Sequence, residues 1–296
     1  MPLETNFNTP PYFDDFDANN NFYRILFRPS TAVQARELTQ LQSILQDQVE
    51  KFGKHIFVDG SVIEGCAVYF DNKLDYIKIL DNYSNGSAIT SLSDFIGKQV
   101  LSSNTSLEAI IVDAVAGFES ANPDLNTLYI KYLNSGTYSN SSPQKKYDPN
   151  QLIQIRTAAN SLFGTVTVAN STVNAVGVGY SVGISEGVIF QKGFFVRVDP
   201  QSVIVTKYNN QPNGVSVGFK TNEIVVTADS DATLLDNALG APNYNAPGAN
   251  RLKLTANLVV RTTDNTSVNA TSSNTDSFFS IVDFEAGAPT TVRTDP

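Results

Sequence analysis

The sequence predicts a mainly β fold: an N-terminal arm and one long α-helix, followed by an antiparallel β-sandwich that carries an inserted small β-module. Three observations predict it. A single stretch, opening at Pro29-Ser30-Thr31, keeps helical periodicity over several turns. From Ile56 onward, β-branched and aromatic runs are punctuated by glycines such as Gly60 and Gly65. Turn clusters then recur at the spacing of an antiparallel sandwich.

Residues 1–30 mix Asn, Pro and Asp with the rings Phe7, Tyr12, Phe13, Phe16, Phe22, Tyr23 and Phe27. Disordered arms avoid aromatics, so these rings pack either on the chain's own core or across a neighbouring subunit. The helix that follows has Glu37 early and Gly53 as its expected stop. Leu38, Leu41, Leu45 and Phe52 form a seam of about two heptads, broken by Gln48. Ile44 and Val49 widen that seam, which implies contact with more than one surface. Gln34, Gln40, Gln42, Gln46 and Gln48 occupy positions where a solvated helix would carry Lys and Glu pairs. The helix therefore packs on its own β-domain or associates with other chains, and composition leaves both open.

Strand patterns at 56–70 and 186–198 read as strand pairs of one sheet system. Further strands are expected at Thr165–Ala169, Gly183–Val198, Val203–Tyr208, Val215–Phe219, Glu223–Ala228 and Leu252–Arg261, with Asn209 to Gly214 as the turn of a hairpin. Strand candidates Glu108–Glu119 and Leu125–Leu133 lie in the module inserted between the two patterns. The expected division is 1–55 for the arm and anchoring helix, 56–75 plus 146–262 for the sandwich, 76–145 for the module and 263–296 for a C-terminal extension. Residues 262–275 read as polar and flexible. The apolar run from Phe278 to Phe284 is either a last docked strand or a link onward.

The chain has 296 residues, enough to bury a core without disulfides, and its one cysteine, Cys66, reads as strand core filler. A net charge of -9 argues against nucleic-acid binding, for which the single pair Lys145-Lys146 is too small. The N-terminus lacks the basic and apolar regions of an export signal, and no apolar run is long enough to insert in a membrane, so a cytoplasmic folding compartment is expected. The lone His55 suits a helix C-terminus better than a catalytic or metal site. Asp14, Asp15 and Asp17 supply the paired carboxylates that glycoside hydrolysis needs, but an arm without a sugar-lined cleft makes them turn or interface acids. Asp229 to Asp236 begins like a calcium loop and then places Leu234 and Gly240 where glycine and glutamate are required. The glycines from Gly177 to Gly183 lack the lysine and helix of a phosphate cradle, and close strand packing explains them better. Asn-x-Ser/Thr triplets at Asn82, Asn104, Asn265 and Asn269 are those expected by chance. No enzyme activity, cofactor or metal is expected.

The stretches Asp14 to Asp17, Asn21 to Pro29 and Ala32 to Gln42 resemble the DUF4815-type virion structural proteins of tailed phages, prominent among cyanophage myoviruses. The similarity continues through His55 to Ser61, Glu186 to Val196, Asp236 to Gly240 and Ala246 to Leu254. It implies a bacteriophage virion component of the tail, baseplate or tail fibre, with no catalytic residues to carry over. Its partners would be other tail or baseplate proteins and further copies of the chain, a homotrimer being favoured by the rotational symmetry of a tail. The expected oligomer or tail-protein interface is Phe22, Tyr23, Phe27, Arg28, Gln34, Arg36, Leu38, Gln40, Leu41, Gln42, Leu45, Gln48 and Phe52. A rival expectation is a receptor-binding module for host attachment, with the inserted module or the Asn-rich loops meeting a host surface glycan or protein.

Overall fold

Alternating β-branched and polar residues give seventeen strands in a computed structural model, which describes residues 3–117, 124–262 and 278–293. The end of the 108–119 strand candidate, residues 263–277 with the triplets at Asn265 and Asn269, and the last three residues lie outside the described residues. One helix, α1 (Ala35–Ile56), precedes the strands, all of whose pairings are antiparallel. In chain order they are β1 (Ser61–Gly65), β2 (Val68–Tyr83), β3 (Gln99–Ser102), β4 (Glu108–Val115), β5 (Thr127–Tyr132), β6 (Gly136–Thr137), β7 (Pro143–Gln144), β8 (Leu152–Arg156) and β9 (Leu162–Val168). There follow β10 (Val176–Ile184), β11 (Gly187–Gln191), β12 (Phe194–Val198), β13 (Gln201–Thr206), β14 (Val215–Val226), β15 (Arg251–Thr262), β16 (Phe278–Glu285) and β17 (Ala288–Val292).

Strand β2 is 16 residues long and serves two cores. Its first part pairs with β10, which in turn pairs with β13. Its second part pairs with β5, and the order β2-β5-β4-β3-β8-β9 returns to β2 through Ile79 opposite Val168, closing a six-stranded barrel. Ile77, Val100, Ile111, Ile130, Ile155 and Val166 fill that barrel. Closure leaves its strands without free edges, which removes a site of unwanted strand pairing.

The second core lies between the β13-β10-β2 strands and a four-stranded sheet ordered β15-β14-β16-β17, with the small sheet β1-β11-β12 packed into the same cluster. Phe284 of β16 binds the layers, with its ring 5.4 Å from Tyr180 on β10 and 6.0 Å from Phe70 on β2. The glycines of β10 serve close packing: a Cβ at Gly183 would overlap the Tyr69 ring laid across it.

Four expectations change. The division at 145 falls inside the barrel, because β8 and β9 complete it rather than belonging to the sandwich. Residues 278–285 are no extension: β16 sits inside its sheet, with Ile281, Val282 and Phe284 buried. The turn at 209–214 does not make a hairpin, since β13 pairs with β10 while β14 pairs with β15 and β16. The strands at 56–70 separate likewise, β1 joining β11 and β2 joining β10.

Ile130 is fully buried at the barrel centre. Ile130→Ala is expected to cost about 2–5 kcal/mol through lost contact and the cavity left behind, measured as a lower urea midpoint with an unchanged slope.

Candidate functional site

The helix stands on the β11–β12 hairpin. Gly53 does not stop it; α1 continues one turn to Ile56. The glycine is needed for approach, since a Cβ there would overlap the Phe190 ring. Beside it, Gln46 Nε2 donates to the Gly193 carbonyl at 2.7 Å, and Phe57 packs against Phe190 and Phe195 with ring centroids 5.8 and 6.0 Å apart. At the helix start, the Gln34 N–H donates to Glu37 Oε2 at 2.8 Å, satisfying one of the open amides. Lys54 and His55 fall in the last turn, where a cation is favoured.

The arm grips the helix and the sheet at separate points. Asp14, buried, accepts from the Ser43 hydroxyl, and Asp15 accepts from Gln40 and, at 2.9 Å, from Arg36. Asp17 accepts from the Asn19 N–H at 2.9 Å and caps a short 3-10 turn. Farther back, Tyr12 accepts from Asn250 at 2.6 Å. The acids of 14–17 are thus holding and turn residues.

Nearest the N-terminus, Glu223 of β14 accepts from the backbone N–H of Glu4 and Thr5, each at 2.9 Å, and from the Thr5 hydroxyl at 2.6 Å. Lys192 donates to Glu223 at 2.7 Å and to Glu4 at 3.0 Å, with the Lys192 and Glu223 side chains only 1% and 5% exposed. Burial pushes the Glu223 carboxyl up, but the bonds from Lys192, Thr5 and the arm's amides outweigh it and hold it at about 2.

These contacts settle the arm's rings into two groups. Phe7, Tyr12 and Phe16 are partly covered, Phe7 and Tyr12 meeting edge to face at 6.0 Å. Phe22, Tyr23, Leu26, Phe27 and Val33 stand exposed.

The helix is oriented with polar residues inward. Ser43, Gln46, Glu50 and Gly53 face the body, Gln40 and Arg36 meet Asp15, and Ile44 is buried. Leu38, Leu41, Leu45, Val49, Phe52 and Ile56 are all exposed, Leu45 at 60% and Phe52 at 66%. At 100° per residue these six fall within an arc of roughly 80°. Gln42 and Gln48 are exposed at its two margins, and Arg28 and Gln34 are exposed before it. Of the thirteen expected interface residues, Arg36 and Gln40 are used within the chain, whereas Leu38, Leu41, Leu45 and Phe52 converge on this outward stripe. Val49 and Ile56 belong to it as well. Val49 widens the seam as expected, whereas Ile44, expected beside it, is buried; Ile56 lies four residues after Phe52, where a heptad reading expects a step of three.

Removing the cation of a buried pair strands its partner. Lys192→Met is expected to cost about 3–5 kcal/mol in urea unfolding, and Lys192→Met with Glu223→Leu to regain most of that loss. Because the folded-state carboxyl lies below its ordinary 4.5, its contribution is complete above that pH and is lost as pH falls toward 2. Protection of the Thr5 amide, taken relative to its intrinsic exchange rate at each pH, should fall over that window. Gly53→Ala, which stabilises an exposed helix by about 1 kcal/mol, is expected to destabilise this one by about 1–3 kcal/mol through overlap with Phe190, read as a lower melting temperature.

A family model described as a domain of unknown function, DUF4815, matches residues 10–87 and 144–286. No curated protein and no solved structure matches the chain. The two matched segments span the arm, α1, the sandwich strands and β8 and β9 of the barrel, and the residues between them supply β3, β4 and β5. By that match the chain belongs to the DUF4815 family.

Proposed function

We propose that the chain is a structural component of a bacteriophage tail, a baseplate or tail-fibre attachment protein that acts through protein contacts rather than catalysis. The observation that carries this reading is the pairing of an outward apolar stripe on α1 with the exposed rings Phe22, Tyr23 and Phe27 of the arm. Exposed apolar side chains in this number cost solubility unless an assembly covers them. The similarity of residues 10–260 to virion proteins supplies the setting. In this reading the arm contacts neighbouring tail proteins, while its acids and the Lys192–Glu223 pair keep it on its own body.

The test uses tagged full-length chain in phage particles. Phe22→Ser with Phe27→Ser changes only exposed side chains, so the melting temperature should hold while recovery of the chain in purified particles falls at least tenfold. Undiminished recovery, or absence of the unaltered chain from particles, would sink the proposal.

A further inference from the structure

We infer that the outward stripe of α1 is a self-association face, whose occupant is the same face of another copy of this chain. This deepens the assembly reading above by naming the partner of the helix.

The spacing comes first. Leu38, Leu41 and Leu45 are followed eleven residues later by Val49, Phe52 and Ile56, a strict 3-4-4 repeat. Eleven residues advance about 1,100°, within roughly 20° of three whole turns. The stripe therefore drifts only slightly across the helix, in the sense of a shallow right-handed crossing, and over fewer than two repeats helices can meet along it with little wrapping. That suits α1, which is clamped along another side by Gly53 against Phe190 and by Gln46 on Gly193, and so is not free to supercoil.

Charge identifies the partner. Each copy carries a net charge of -9, so like surfaces repel in general. Yet Leu38, Leu41, Gln42, Leu45, Gln48, Val49, Phe52 and Ile56, the residues that point within about 60° of the stripe's centre, are all uncharged. A face that recruits a different protein gains steering and specificity from opposite charges. This face carries no charge with which to steer a different protein, and it is the face along which two copies of a chain of net charge -9 repel least. Gln42 and Gln48 at the margins fit this, because an amide both donates and accepts and so can pair with its own kind. The exposed side chains present on the order of 700 Å² per copy, near the roughly 800 Å² per partner of a stable interface.

The test is sedimentation and oxidative cross-linking of the purified full chain. The native Cys66 is fully buried, so Leu45→Cys adds the one accessible thiol. An oligomer by sedimentation and a disulfide-linked pair of Leu45→Cys chains are expected. Leu45→Glu should raise the dissociation constant at least a hundredfold with unchanged circular dichroism, whereas Lys51→Glu, outside the stripe, should leave it within threefold. A monomer at all concentrations, or association untouched by Leu45→Glu, would overturn the inference. If the chain is monomeric yet Leu45→Glu removes it from particles, self-association fails and the assembly role stands. An oligomer that is absent from particles reverses that outcome.

Discussion

The contact on which the exposed apolar stripe depends is the close approach of α1 to the β11–β12 hairpin at Gly53. A helix of this composition, left to itself, would lay its leucines on the sandwich, because burying them is the largest gain available. Here a glycine faces Phe190, Gln46 reaches the Gly193 carbonyl, and Phe57 inserts beside Phe190 and Phe195 just past the helix end. Those three contacts set the rotation of the helix about its axis. Once that rotation is set, Leu45 and Phe52 have nowhere to point but outward.

Electrostatics then decides how much of the arm is free. Asp14 and Asp15 bind the side of α1 opposite the stripe, where Ser43, Gln40 and Arg36 offer donors. The exposed Arg36–Asp15 pair is worth little, about 0–1 kcal/mol, since water competes for both ions. Lys192 and Glu223 are another matter: both are buried, and the arm's own amides complete the carboxylate's bonds. The arm is held most firmly at residues 4–5 and more weakly at 14–15, and it presents Phe22 to Phe27 beyond its last anchor.

Local pattern made much of this legible in the sequence. The helix, its leucine seam, the hairpin of β11 and β12 and the strands at 108–115 and 127–132 follow from periods of 3.6 and 2 within a few residues. What stayed hidden is non-local. The barrel closes through Ile79 and Tyr83 meeting Val168 and Val166, some ninety residues apart, and no periodicity in either strand announces the partner. Polar residues obscured others: Lys220, Thr221 and Asn222 look like a break between two strands, yet β14 runs through them because Thr221 is buried against Gln191. Gly53 misled for the opposite reason. A helix-ending residue and a helix-packing residue are the same letter, and only the ring of Phe190 tells them apart.

The barrel's place in the fold bears on which parts can vary without disturbing the anchor. Strands β5, β4 and β3 are contiguous across the sheet, follow one another in sequence, and fall outside the family match. Among the described residues their links to other strands of the sheet are β5 to β2 and β3 to β8, and none of the three pairs with β1, β11 or β12, on which the helix stands. The pairing of β9 with β2 and of β8 with β9 does not pass through them. Changes in this block therefore load the second half of β2, while the first half, held by β10 and packed against the Phe284 layer, keeps its own core. The fold thus separates the seat of the helix on β11 and β12 from a barrel block whose strands pair within their own core.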